Sequence, residues 1–132
     1  MQKRNTLKLI AACAMLMGAS SAFSQEVIKI ANIVELSGGG ASAGTNFKNG
    51  VELAVKEINA AGGVLGKKIQ TITSDTQSNP GVAKGLTQKA VDDEVFAIFG
   101  PVFSGSIMVS MAESRRAEVP AALMTPYNKG ER

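Results

Sequence analysis

The residues best placed to do chemistry are Ser104-Gly105-Ser106, which follow the apolar run 95–99 (VFAIF) and the breakers Gly100-Pro101. A continuous apolar run of this kind predicts a strand covered on both faces in a parallel sheet. Behind the serines, Ile107, Met108, Met111 and Ala112 recur at helical spacing, which puts Ser104 at the opening of a helix. A strand that feeds a helix through such a turn aims backbone N–H groups and serine hydroxyls past its own carboxyl end. That arrangement suits a small anion such as a carboxylate. The competing reading is that Ser104 simply caps its helix.

Other chemistry is limited by what the chain lacks. It contains no histidine, and its single cysteine, Cys13, lies inside the apolar run 9–19. A Ser-His-Asp triad, a Cys-His pair and a His-based metal site are therefore excluded. Residues 10–13 (IAAC) superficially resemble a lipidation box, but too little apolar sequence precedes Cys13. Asp92, Asp93 and Glu94 cluster at a predicted helix end, where a solvated face is the simpler reading. Ser104 has Val102 and Ser106 two positions away, so the G-x-S-x-G elbow of a hydrolase is absent.

Gly38, Gly40 and Ala43 match G-x-G-x-x-G/A and open a rival reading, a nucleotide-binding enzyme of Rossmann type. Glu35, Leu36 and Ser37 delay the first glycine past the strand end, however. The nearest acid at the end of the second strand, Asp75, stands 37 positions after Gly38, where the motif wants about 20. An exported protein also rarely meets soluble nicotinamide cofactors. Asp75 and Asn79 read better as turn-fixing and helix-capping residues. No cofactor is expected.

The 132 residues leave room for one domain at most. Residues 1–24 read as a secretory signal: Lys3, Arg4 and Lys8, the apolar run 9–19, then the small segment SSAFS before Gln25. The run is too short to span a membrane, and residues 25–132 form the mature chain. Of 14 basic and 11 acidic residues, the signal holds three basic ones and no acid. The remainder is balanced at 11 against 11, which predicts no nucleic-acid surface.

The elements that position the serine turn alternate strictly. Residues 27–34 (VIKIANIV) form the first strand, and the glycine-rich loop 35–44 leads to a helix over 45–61. Its apolar face is Phe47, Val51, Ala54, Val55 and Ile58, and Gly62-Gly63 ends it. A second strand, 68–74, has the alternation of an edge. Asn79-Pro80 opens a second helix running to Asp92, with Val82, Leu86 and Ala90 inward. The serine turn leads to a third helix ending near Ala117, and a fourth strand covers 121–124. The methionines of the mature chain are read as core filling. The fold class is α/β, a parallel sheet with helices on both faces. The order 2-1-3-4 puts a crevice between strands one and three, where the glycine loop and the serine turn meet.

Residues 31–80, ANIVELSGGGASAGTNFKNGVELAVKEINAAGGVLGKKIQTITSDTQSNP, with FGPVFSGS downstream, resemble the type I periplasmic solute-binding proteins of branched-chain amino acid ABC transporters. The resemblance runs from Val27 to Pro126. It implies a first lobe of a two-lobed binding protein, incomplete because the chain stops before a second lobe. It further implies a periplasmic, non-catalytic protein that captures a small amino-acid-like solute for a membrane permease; a ligand-sensing domain of the same fold is the alternative. By resemblance, the ligand's carboxylate is held at Ser104, Gly105 and Ser106. Thr125 and Tyr127, in the turn after the fourth strand, line the same cleft. Many members carry an aromatic where this chain has Ala43, and a Ser-Pro-Gly-Ala-Thr run where it has Thr125-Pro126-Tyr127-Asn128, which leaves amides and urea open as ligands.

Overall fold

The computed structural model describes residues 26–124, so the signal segment, Thr125 and Tyr127 lie outside the described residues. Strand and helix alternate as β1 (Val27–Val34), α1 (Ala41–Ala60), β2 (Lys68–Asp75), α2 (Pro80–Asp92), β3 (Ala97–Phe99), α3 (Ser104–Arg116) and β4 (Ala121–Ala122). The four strands are parallel in the order β2-β1-β3-β4, the order the sequence predicts. β1 pairs with β2 along its whole length, from Val27 beside Lys68 to Val34 beside Asp75. On its other side, Ile30, Ala31 and Asn32 pair with Ala97, Ile98 and Phe99. From β1 the chain crosses first to one neighbour and later to the other, so the carboxyl ends of β1 and β3 frame the switch point.

The core lies between the sheet and the α2–α3 layer. Ala31, Ile33, Val95, Ile98 and Ala90 are buried together there, with Ile72, Leu86 and Val119 packed at their margin. Burying each large aliphatic side chain contributes about 1.5–3 kcal/mol. α2 and α3 meet along a seam of small and polar residues, where Thr87 Oγ1 donates to the Ala83 carbonyl (2.9 Å) and shares a 2.8 Å hydrogen bond with Ser110 Oγ. Glu113 is buried in the same layer, with Lys84 Nζ 3.6 Å away and Arg116 in direct contact.

That seam overturns two expectations. The inward face of α3 is Ser106, Ile107, Ser110, Glu113 and Ser114, so Met108 and Ala112 face outward. Short side chains allow the two helices to approach closely, and a long methionine would hold them apart. Met108 and Met124 are exposed and fill no core. α2 likewise buries Ala83, Thr87 and Ala90, while Val82 and Leu86 are only half-buried.

The opposite face of the sheet is less covered. α1 begins at Ala41, behind a single 3-10 turn at Gly38–Gly40, four residues before the predicted start. The glycine read as a loop residue, Gly44, sits in its first turn, where a Cβ would lie 1.9 Å from the Glu35 carbonyl oxygen. Its bare backbone lets the helix rest on the end of β1. Further along, Phe47, Val51 and Val55 are half-buried, but Ala54 and Ile58 are exposed. With Ile28 and Phe99 they border an apolar groove of about 820 Å³. Phe96 is 68% exposed, so the run 95–99 is covered on one face and not on both. The regular part of that strand is correspondingly short, and β4 pairs with it only through Ile98–Ala121 and Phe99–Ala122, shorter than the predicted 121–124.

The NAAGG-x-x-GKK segment has a mechanical explanation. Asn59, near the end of α1, uses its side-chain amide as a substitute strand. Its Oδ1 accepts from Ile69 N and its Nδ2 donates to the Ile69 carbonyl, both at 2.8 Å. Gly62 and Gly63 then take positive φ, as predicted for the helix stop. Val64 and Lys67 exchange two backbone hydrogen bonds of 2.8 and 2.9 Å across Leu65-Gly66. Both central residues have φ above +50°, the signature of a type I′ turn. The turn delivers the chain into β2 in register with β1.

Candidate ligand-binding site

Two loops meet at the carboxyl edge of the sheet, and an acidic residue organises each. Glu35, the first residue after β1, is fully buried. Its Oε2 accepts from Val102 N at 3.0 Å and its Oε1 from Phe103 N at 3.4 Å. The turn after β3 is thereby fastened to the end of β1. Sequence reasoning did not single out Glu35; the available signal was an acid directly continuing an apolar interior strand at the switch point.

Asp75 ends β2 and fastens the glycine loop. Its Oδ1 accepts from Leu36 N (2.8 Å), Ser37 N (3.2 Å) and Gln77 N (2.8 Å), and its Oδ2 from the Ser37 hydroxyl (2.7 Å). The Ser37 hydroxyl, foremost, and then the Gln77 amide hold the Asp75 carboxyl below the usual carboxylate range, against the opposing effect of burial and with further help from the Leu36 and Ser37 amides. Ser78 Oγ completes the clasp by accepting from Gly40 N (2.9 Å) and donating to the Ser37 carbonyl (2.7 Å). These bonds occupy the N–H groups of Leu36, Ser37 and Gly40. Of the Gly38-x-Gly40 pair on which the Rossmann reading rests, Gly40 already gives its N–H to the Ser78 hydroxyl. The predicted role of Asn79 is also observed: its Oδ1 accepts from Gly81 N and Val82 N and caps α2, with Pro80 at the first helical position.

The serine turn differs. Phe103 occupies the N-cap position of α3 in extended conformation, and no side chain caps this helix. Ser104 is the first helical residue, so the expectation that it caps α3 is not met. The first helical bond is Ile107 N to the Phe103 carbonyl (2.8 Å). The N–H groups of Ser104, Gly105 and Ser106 come before it and have no helical acceptor. Ser104 and Gly105 are exposed beside the crevice. Ser106 as a whole residue is 1% exposed, so of the three only Ser104 and Gly105 lie open to solvent. A cluster of uncommitted donors at a positive helix end can hold a carboxylate without a basic side chain. The acidic cluster lies elsewhere, at the end of α2, where Asp93 pairs with Lys89 (2.6 Å) and Asp92 accepts from Gln88 (3.0 Å).

A family model described as periplasmic binding protein matches residues 27–129. The chain belongs to the periplasmic binding protein family. Among curated members, it is 35% identical over 100 residues to the Leu/Ile/Val-binding protein BraC3 of Rhizobium johnstonii, covering 76% of this chain and 27% of that one. The crystal structure of LivJ from Streptococcus pneumoniae, a branched-chain amino acid transporter substrate-binding protein in complex with isoleucine, superposes with a TM-score of 0.76. It is 36% identical over 80% of this chain and 31% of its own. A solute-binding protein of an ABC transporter from Rhodopseudomonas palustris, in complex with 3,4-dihydroxybenzoic acid, has a TM-score of 0.68 at 30% identity, over 75% and 27% of the two chains. The resemblance to the branched-chain amino acid type is thus borne out, and members of the family are binding proteins. This periplasmic binding protein chain spans about a quarter to a third of the length of these relatives.

Proposed function

We propose that this chain is the carboxylate-holding part of the first lobe of a periplasmic substrate-binding component of an ABC importer. It captures a small amino-acid-like solute, a branched-chain amino acid foremost with a related amide or urea as the alternative, for delivery to a membrane permease, and performs no catalysis. Residues 1–24 serve as its cleavable export signal. The supporting observation is the contrast at the switch point: Asp75 and Ser78 take up N–H groups of the glycine loop, whereas those of Ser104, Gly105 and Ser106 precede the first helical bond of α3. Ser104 Oγ and these N–H groups are the carboxylate donors, and Thr125 and Tyr127, which follow β4 in sequence, contribute to the same cleft. Two relatives crystallised with carboxylate-bearing ligands, isoleucine and 3,4-dihydroxybenzoic acid, support a carboxylate as the common handle.

Thermal unfolding in the presence of leucine, isoleucine, valine, acetamide, urea and benzoate tests this reading. A ligand that binds the native state raises the midpoint by mass action, by about 2.7 kcal/mol of stability at a hundredfold excess over Kd. The expected result is a shift with the amino acids and none with urea. A shift with urea or acetamide alone would replace the carboxylate by an amide as the recognised group.

A further inference from the structure

We infer that Glu35 is a positioning residue for ligand capture: its buried carboxylate holds the serine turn in place and so sets affinity without touching the ligand. The inference rests on the carboxylate reading of that turn and adds the group that readies it before a ligand arrives. Glu35 continues a run of buried residues, Ile30 to Val34, and is itself 0% exposed. None of the ion pairs found among the described residues includes it. Taking a carboxylate out of water without a cation is costly, and an apolar residue would end the strand at lower cost. The charge must therefore serve something other than the end of β1.

Its two hydrogen bonds say what. They take the N–H groups of Val102 and Phe103, 67 and 68 positions away, and these are the two amides directly before the serines. The first donors left for a ligand are then those of Ser104 and beyond. The side chain itself holds one position because glycines clear the space around it. A Cβ on Gly40 would lie 2.7 Å from Glu35 Cβ and 2.9 Å from Glu35 Cγ, and one on Gly44 would lie 1.9 Å from the Glu35 carbonyl oxygen. The glycine loop, closed by Asp75 and Ser78, thus backs the stem of Glu35, and the carboxylate is a strut from that backing to the serine turn. Donors held in place before binding spare the ligand the cost of ordering them. A turn without the strut keeps its donors but must order them on binding, so affinity falls further than stability.

The test titrates isoleucine into the full chain and its Glu35→Ala, Glu35→Gln and Ser104→Ala variants, with and without formate, and follows thermal unfolding alongside. Glu35→Ala weakens isoleucine about tenfold and keeps a cooperative transition. Formate fits the space the side chain leaves and accepts from the same two amides, so it restores most of the affinity in this variant. In the unaltered chain and in Ser104→Ala, formate can only compete with isoleucine. Glu35→Gln, which keeps one acceptor, binds between the unaltered chain and Glu35→Ala, and serves where the alanine variant does not fold. Unchanged affinity in the Glu35 variants, with Ser104→Ala still weakening isoleucine, would remove Glu35 from ligand capture and leave the carboxylate reading intact. An affinity loss that formate does not restore, matched by an equal loss of stability, would make Glu35 a residue of the fold alone. Insensitivity to Ser104→Ala would overturn the carboxylate reading itself.

Discussion

The glycine loop and the serine turn occupy equivalent places, each leading from the carboxyl end of an interior strand into a helix, yet they treat their backbone donors in opposite ways. In the glycine loop, Asp75 and Ser78 accept from Leu36, Ser37 and Gly40. In the serine turn, Glu35 accepts from Val102 and Phe103 and goes no further, so the first turn of α3 still faces the crevice. The richer glycine content is in the loop that is closed. Glycines there serve close approach, and the side-chain carboxylates decide which backbone groups remain for a ligand.

The largest effect is expected where that close approach is tightest. Gly44→Ala forces a Cβ to within 1.9 Å of the Glu35 carbonyl, lifting α1 from the end of β1 and loosening Glu35 with it. Chemical denaturation should show a loss of about 3 kcal/mol or more. Gly39→Ala is the control, because nothing lies within 4 Å of its Cβ position. Equal stability of the two variants would mean that the loop does not need this contact.

Ser104→Ala probes the other loop. The residue is exposed and caps nothing, so unfolding should be nearly unchanged. Loss of a hydrogen bond to a charged carboxylate, about 1.5–3 kcal/mol, should weaken ligand binding by tenfold or more in calorimetric titration. A stability loss without an affinity loss would reverse the roles assigned to the two loops.

Asp75 links the closed loop to pH. Its folded-state pKa lies below the ordinary value because of the Ser37 hydroxyl and the Gln77 amide. The stability it adds is therefore fully present above the ordinary carboxylate pKa, about 3.9, and is lost as pH falls from there through the folded value. Asp75→Asn should flatten that part of an acid-unfolding curve, and an unchanged curve would show that the clasp contributes nothing to stability.

The smallest effect is expected far from both loops. Leu65 is 96% exposed and held at φ 51° in the turn before β2, so Leu65→Asn should stabilise the chain by about 1 kcal/mol. A destabilised variant would mean that this leucine has a partner.

The sheet order was legible because apolar continuity separates β1 and β3 from the alternating β2. The meeting of two loops at the switch point followed from that order alone. The cap of Asn79 and the turn-fixing bond from Gln77 N to Asp75 were readable because both act within a local turn, whereas the hold of Asp75 on Leu36 and Ser37, 39 and 38 positions away, was not. What escaped the sequence depended on long-range packing. Met108 looked inward by periodicity, but the seam of Thr87 and Ser110 set the rotation of α3. Gly44 looked like loop, but contact with Glu35 makes it helix. Glu35 itself looked unremarkable, since its partners are 67 and 68 positions away.

The most direct measurement is a ¹⁵N-resolved NMR titration of the chain with isoleucine, following each backbone amide at the switch point. The account predicts that the amides of Ser104, Gly105 and Ser106 shift with one common dissociation constant while those of Leu36, Ser37 and Gly40, held by Asp75 and Ser78, stay in place. Shifts confined to the glycine loop, or none in the serine turn at saturating ligand, would contradict it.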